Sequence, residues 1–148
     1  MNTDTPGSGG TSFRSDDDFV RVLASGPETG GVFSLLEWTA AVSNSRGRNR
    51  DYGVHRHNGI EETFYILEGS LEFILGDQIL ALREGDFIRV PAGTKHGYEN
   101  VSGSPVKMLV SFLPGGFEQL FLKHMNDNEG FVHEATTNYD SEFGFPSP

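Results

Sequence analysis

Cysteine is missing from all 148 residues, so disulfides, thiolate nucleophiles and Cys-ligated metals are excluded. Basic residues are scarce: 11 Lys and Arg stand against 21 Asp and Glu, a formal net charge of −10. Phosphate backbones and anionic lipid repel such a chain, so neither nucleic acid nor a membrane surface is an expected partner. No apolar run approaches the length needed to span a bilayer. The opening MNTDTPGSGG has neither the basic start nor the apolar run of a signal peptide, and a cytoplasmic location is the expectation. Methionine is rare at 3, whereas Gly at 19 and Phe at 12 are plentiful. Many turns around an aromatic interior suit an all-β protein. The length suits one domain with a single core.

Residues 1–15, rich in Gly, Ser, Thr and Pro, read as a disordered leader, and 16–125 as the domain. Residues 126–148 read as an acidic, turn-rich tail. Asp16, Asp17 and Asp18 are expected to be an acidic cap on a short strand or helical turn begun by Phe19 and Val20. Residues 32–41 have the apolar, aromatic makeup of a buried strand. Strand-like runs follow at 62–67, 70–75, 78–82, 86–90, 97–100 and 106–113, a spacing that predicts a barrel or sandwich. Glu68-Gly69 and Gly76-Asp77 are two-residue links of the kind that close hairpins. Pro114-Gly115-Gly116 breaks the last strand. Beyond it, Phe117, Leu120, Phe121, His124 and Met125 recur at helical spacing, with Glu118 near the start of the predicted helix 117–125.

The chemistry gathers around His55-Arg56-His57. Residues i and i+2 of a strand share a face, so the two imidazoles project together. Glu62 stands five residues on, and His96 follows Pro91-Ala92-Gly93-Thr94-Lys95, a turn able to bring a strand back alongside. Three imidazoles and a carboxylate suit one divalent ion such as Fe, Ni, Mn, Co, Cu or Zn, with open positions for substrate, water or dioxygen.

These residues fall into two known patterns. His55-x-His57-(x)4-Glu62-(x)6-Gly69 resembles the first cupin motif, and Gly85-(x)5-Pro91-x-Gly93-(x)2-His96-(x)3-Asn100 resembles the second. The 15 residues between them match the short spacing of bacterial single-domain cupins. One departure stands out: Asn49 occupies the place of the glycine that usually lies six residues before the first histidine. The resemblance implies a cupin (double-stranded β-helix, or jelly-roll) barrel with a short C-terminal helix. It also implies a metal held by His55, His57, Glu62 and His96, with Glu61 as the competing carboxylate or a supporting group. Gly69, Gly85 and Gly93 are read as turn residues, Pro91 as a stiffener that ends a strand, and Asn100 as a loop tie.

Trp38, Phe64, Tyr98 and Phe112 are the candidates for a substrate pocket, and barrel filling is the competing reading. Arg46, Arg48 and Arg50 read as a solvated loop rather than an anion-attracting patch, and His124 and His133 as non-ligands. Among small cupins the chain most resembles the quercetin 2,3-dioxygenase-like group, helped by Leu113-Pro114-Gly115-Gly116-Phe117-Glu118. That resemblance implies a dioxygenase acting on a small enol, flavonol-like or keto-acid substrate, with Glu62 also serving as base. A non-redox cyclase, isomerase or decarboxylase, or a binding cupin without turnover, is the alternative. A homodimer is expected from edge strands that need cover.

Overall fold

A computed structural model describes residues 11–15, 18–42 and 54–120. Among them are nine strands: β1 (Ser12–Ser15), β2 (Asp18–Ala24), β3 (Ser34–Ala40), β4 (Glu61–Glu68), β5 (Ser70–Leu75), β6 (Gln78–Arg83), β7 (Phe87–Val90), β8 (His96–Glu99) and β9 (Val106–Leu113). All pair antiparallel, in a six-stranded sheet of order β1-β2-β3-β9-β4-β7 and a three-stranded sheet of order β6-β5-β8.

The alternation of each strand explains how the sheets face one another. On β3, Ser34, Leu36, Trp38 and Ala40 are buried and the residues between them only partly so; β9 repeats this with Val106, Met108, Val110 and Phe112. On β4 the inward set is Glu62, Phe64 and Ile66, so a carboxylate shares the core-facing side with large apolar groups. Leu71, Phe73 and Leu82 answer from the smaller sheet. Among the described residues no helix is long and apolar enough to cross a membrane.

Several expectations need correction. Ser12–Ser15, assigned to the leader, pair with β2 along their whole length, because an edge strand needs backbone partners rather than apolar side chains. The predicted strand at 32–41 is Ser34–Ala40, and Val32 and Phe33 are exposed in the preceding loop. Gly76-Asp77 does close the β5–β6 hairpin. Glu68-Gly69 does not close one: β4 pairs with β7 and β9 while β5 pairs with β6 and β8, so the chain changes sheets at Gly69. Gly69 has φ +88°, and a Cβ there would lie 3.1 Å from Val106 Cγ2. A helical turn begins at 118–120. Residues 121–125 of the predicted helix lie outside the described residues, as do residues 1–10, Asp16, Asp17, Arg46, Arg48, Arg50, His124, His133 and the tail 126–148.

Candidate metal centre

Two strands and the 55–57 segment deliver the cluster. Glu62 sits on β4 between Val90 of β7 and Phe112 of β9. His96 opens β8, where the His55 segment meets it through reciprocal backbone bonds: His55 N to His96 O and His96 N to His55 O, each 2.9 Å. The turn before His96 is tied to the same segment by Gly93 N donating to His57 O at 2.6 Å. The histidine pair and the distant third histidine are thus held together by backbone. Each of His55, His57, Glu62 and His96 offers one donor atom, and these atoms all lie within 4.8 Å of one another. Glu61 faces away and pairs with Arg89 on the other side of β4, which removes it from the centre.

Three of the four are deeply buried, His57 and His96 at 2% exposed and Glu62 at 5%, while His55 is half-buried. A carboxylate so placed needs a cationic partner. Burial alone would raise the Glu62 carboxyl, but the facing His96 and His57 imidazoles outweigh it and hold the group well below the usual carboxylate range. For His96, burial lowers the pKa, and the Glu62 charge with its hydrogen bond outweighs that and raises it. His96 Nδ1 lies 2.9 Å from Thr94 O and donates to it, which directs Nε2 at Glu62. His57 Nε2 is 3.4 Å from Glu62 Oε2 without a hydrogen bond, and neither of its ring nitrogens has such a partner among the described residues. Buried imidazole nitrogens of this kind, beside a carboxylate and two further imidazoles, fit a borderline divalent ion. The cluster could hold one.

The aromatic candidates fall into two groups. Phe64 is 4.9 Å from the Phe73 ring and 6.2 Å from the His96 ring; Phe112 stacks 4.7 Å from Phe117. Trp38 and Tyr98 instead meet at Asp18, whose Oδ2 accepts from Trp38 Nε1 at 2.8 Å and Tyr98 Oη at 2.7 Å. Its Oδ1 accepts from Ala41 N at 2.8 Å. Asp18 is therefore no mere cap: it joins β2 and β3 of one sheet to β8 of the other. Burial, then the charge and hydrogen bond of Asp18, push the Tyr98 phenol well above its usual value. Nothing in the run Asp16-Asp17-Asp18 sets the third aspartate apart, and only its partners 20 and 80 residues away do so. Asn100 ties its loop as expected, donating to Ala40 O and Ser104 O and accepting from Ser102 N.

Comparison with known proteins agrees with this geometry. Residues 48–112 match the cupin domain family. It is 33% identical over 124 residues to quercetin 2,3-dioxygenase of Bacillus subtilis, covering 83% of this chain and 34% of that protein. It is 39% identical over 66 residues to acireductone dioxygenase 1 of Nocardia farcinica, covering 43% of this chain and 34% of that one. The chain thus spans about a third of the length of these relatives. Ectoine synthase from P. lautus shares the fold, with a TM-score of 0.58 at 18% identity over 86% of this chain and 80% of that one.

Proposed function

We propose that this chain is a metal-dependent dioxygenase for a small substrate bearing an acidic hydroxyl, such as an enol, a flavonol or the enol form of a keto acid. The four-donor cluster inside the barrel carries the reading, and the similarity to two proteins named as dioxygenases supports this choice of reaction class. His55, His57, Glu62 and His96 would hold one divalent transition ion. When bound, it would supply a positive centre that polarises a chelating oxygen anion and a redox partner for dioxygen.

The chain's own part follows from charge and position. Three neutral imidazoles and one carboxylate leave a doubly charged ion with a net single positive charge, which favours an anionic ligand over a neutral one. Glu62 Oε2 is the proton acceptor for the substrate hydroxyl. Its cationic surroundings make it a weak base, so it suits a hydroxyl that is itself acidic and not an alcohol. Thr94 O, by holding His96 Nδ1–H, keeps that ring's other nitrogen turned to the centre. Phe64 and Phe112 are the proposed apolar walls beside it, with Trp38 and Tyr98 tied back by Asp18. A homodimer would cover the edge strand β7, whose Phe87 is 60% exposed.

The test combines metal analysis, anaerobic substrate binding and O₂ uptake on one preparation. Glu62→Gln, fully loaded with metal, should bind an ionised enol as well as the wild type and lose about 10²–10⁴-fold in O₂ consumption with the substrate whose hydroxyl is still protonated. An unchanged rate would show that Glu62 is only a ligand. Product formation without O₂ would replace the dioxygenase with a Lewis-acid isomerase or cyclase.

A further inference from the structure

Glu118 is a fully buried carboxylate that the chemistry above does not use. Its oxygens accept from Gly26 N at 2.6 Å, Gly116 N at 3.2 Å, Gln119 Nε2 at 3.3 Å and Ser34 Oγ. Gly116 N also donates to Ser34 Oγ at 2.8 Å. These partners come from two segments, the β2–β3 loop with the first residue of β3, and the turn after β9. Gly115 N donates to Gly31 O at 3.0 Å. A Cβ on Gly26 would lie 2.5 Å from Gly116 N, and one on Gly115 would overlap the Phe33 carbonyl. Glycine thus lets the two backbones close up, and the Glu118 carboxylate satisfies donors that their contact would strand. The sequence places Glu118 near the start of a predicted helix, where the helix dipole favours an acid. Burial among these donors is what the loop crossing makes of it.

The next residue back connects this crossing to the metal centre. Phe117 is buried, its ring 4.5 Å from that of His57 at 61° and 4.7 Å from that of Phe112 at 50°. A metal-binding histidine normally has its outer nitrogen fixed by a hydrogen bond. His57 has none among the described residues, so its orientation depends on ring contacts with Phe117, His55 and His96. Of those three rings Phe117 alone is no member of the cluster.

We propose that Glu118 is a positioning residue for the metal centre. By locking the 116–118 turn onto Gly26 of the β2–β3 loop and Ser34 at the start of β3, it seats Phe117 against His57 and holds that imidazole as the ion requires. The proposal rests on the metal-binding reading above. It makes Glu118 part of the site without contact with ion or substrate.

The experiment is a double-mutant cycle read as Co(II) affinity, by visible absorption against a competing chelator. Glu118→Gln puts an amide NH₂ among donors, and Phe117→Leu removes the aromatic contact while keeping bulk. Each should weaken Co(II) binding about 10–100-fold. Because both act through one contact, the double variant should be little weaker than the worse single variant. Ser34→Ala, which removes a single donor, gives the same signal in smaller size should Glu118→Gln fail to fold. Leu71→Ala is the control for plain destabilisation, since Leu71 lies four residues along β5 from the Leu75–His96 pair. Additive losses overturn the positioning role, as does a Leu71→Ala variant of equal thermal stability that weakens Co(II) as much. Wild-type protein that binds no Co(II) overturns the metal reading itself, a result distinct from either.

Discussion

Replacing Asp18 with Asn tests whether one carboxylate fastens the two sheets. Its Oδ2 accepts from Trp38 and Tyr98, and its Oδ1 from Ala41 N. Asparagine offers one oxygen and one NH₂. With the NH₂ toward Trp38, the indole N–H meets a donor, although Tyr98 can rotate its hydroxyl and accept. With the amide reversed, Ala41 N–H is stranded. Either way a part-buried donor loses its acceptor, at about 1–3 kcal/mol, and the surviving bonds lose their charge assistance. The sum is about 2–3 kcal/mol, which lowers the midpoint of thermal unfolding by about 5–10 °C at this chain length. Trp38 is the sole tryptophan, so its fluorescence in a urea titration reports both the global transition and the altered site. Tyr98→Phe removes one of the three donors and should cost about 1–2 kcal/mol, less than Asp18→Asn. A loss under about 0.5 kcal/mol for Asp18→Asn, with unshifted emission, would refute the clamp.

Other outcomes follow from the same geometry. In chelated protein, the depressed Glu62 contributes stability above its ordinary 4.5 that disappears as pH falls. The raised His96 contributes stability below its ordinary 6.5 that disappears as pH rises through its folded value. Thermal unfolding of chelated protein should therefore show this pair's contribution greatest between these values, whereas added metal, which displaces the His96 proton, should stabilise increasingly as pH rises above 6.5. A metal-induced shift that shrinks over that range would contradict the assignment of His96 as ligand. His96→Ala should bind substoichiometric metal by elemental analysis, because a first ligand is gone; full occupancy would exclude it. Gly69 and Gly85 share φ +88°, but a Cβ fits freely only at Gly85. Gly85→Ala should cost about 1–2 kcal/mol in urea unfolding and Gly69→Ala about 1 kcal/mol more; equal losses would show that the Val106 contact yields freely.

How much of this was legible in the sequence depended on the range of the interactions involved. Period-two burial and turn glycines are local, so the extents of β5 and β9 and the hairpin at Gly76-Asp77 could be read directly. His55, His57, Glu62 and His96 could be grouped because their spacing repeats a known pattern around fixed turns. Strand pairing is not local. Glu68-Gly69 has the composition of a hairpin turn, yet it is a corner between sheets, because β4 finds its partners in β7 and β9. Glu61 and Glu62 differ only in which way a strand residue points, and the pairing of β4 turned Glu61 to Arg89 and Glu62 to the histidines. Asp18 and Glu118 look like ordinary surface acids in sequence. Tertiary structure alone surrounded them with donors up to 80 and 92 residues away, since a carboxylate's role is set by what it can accept from, and those donors are distant in the chain.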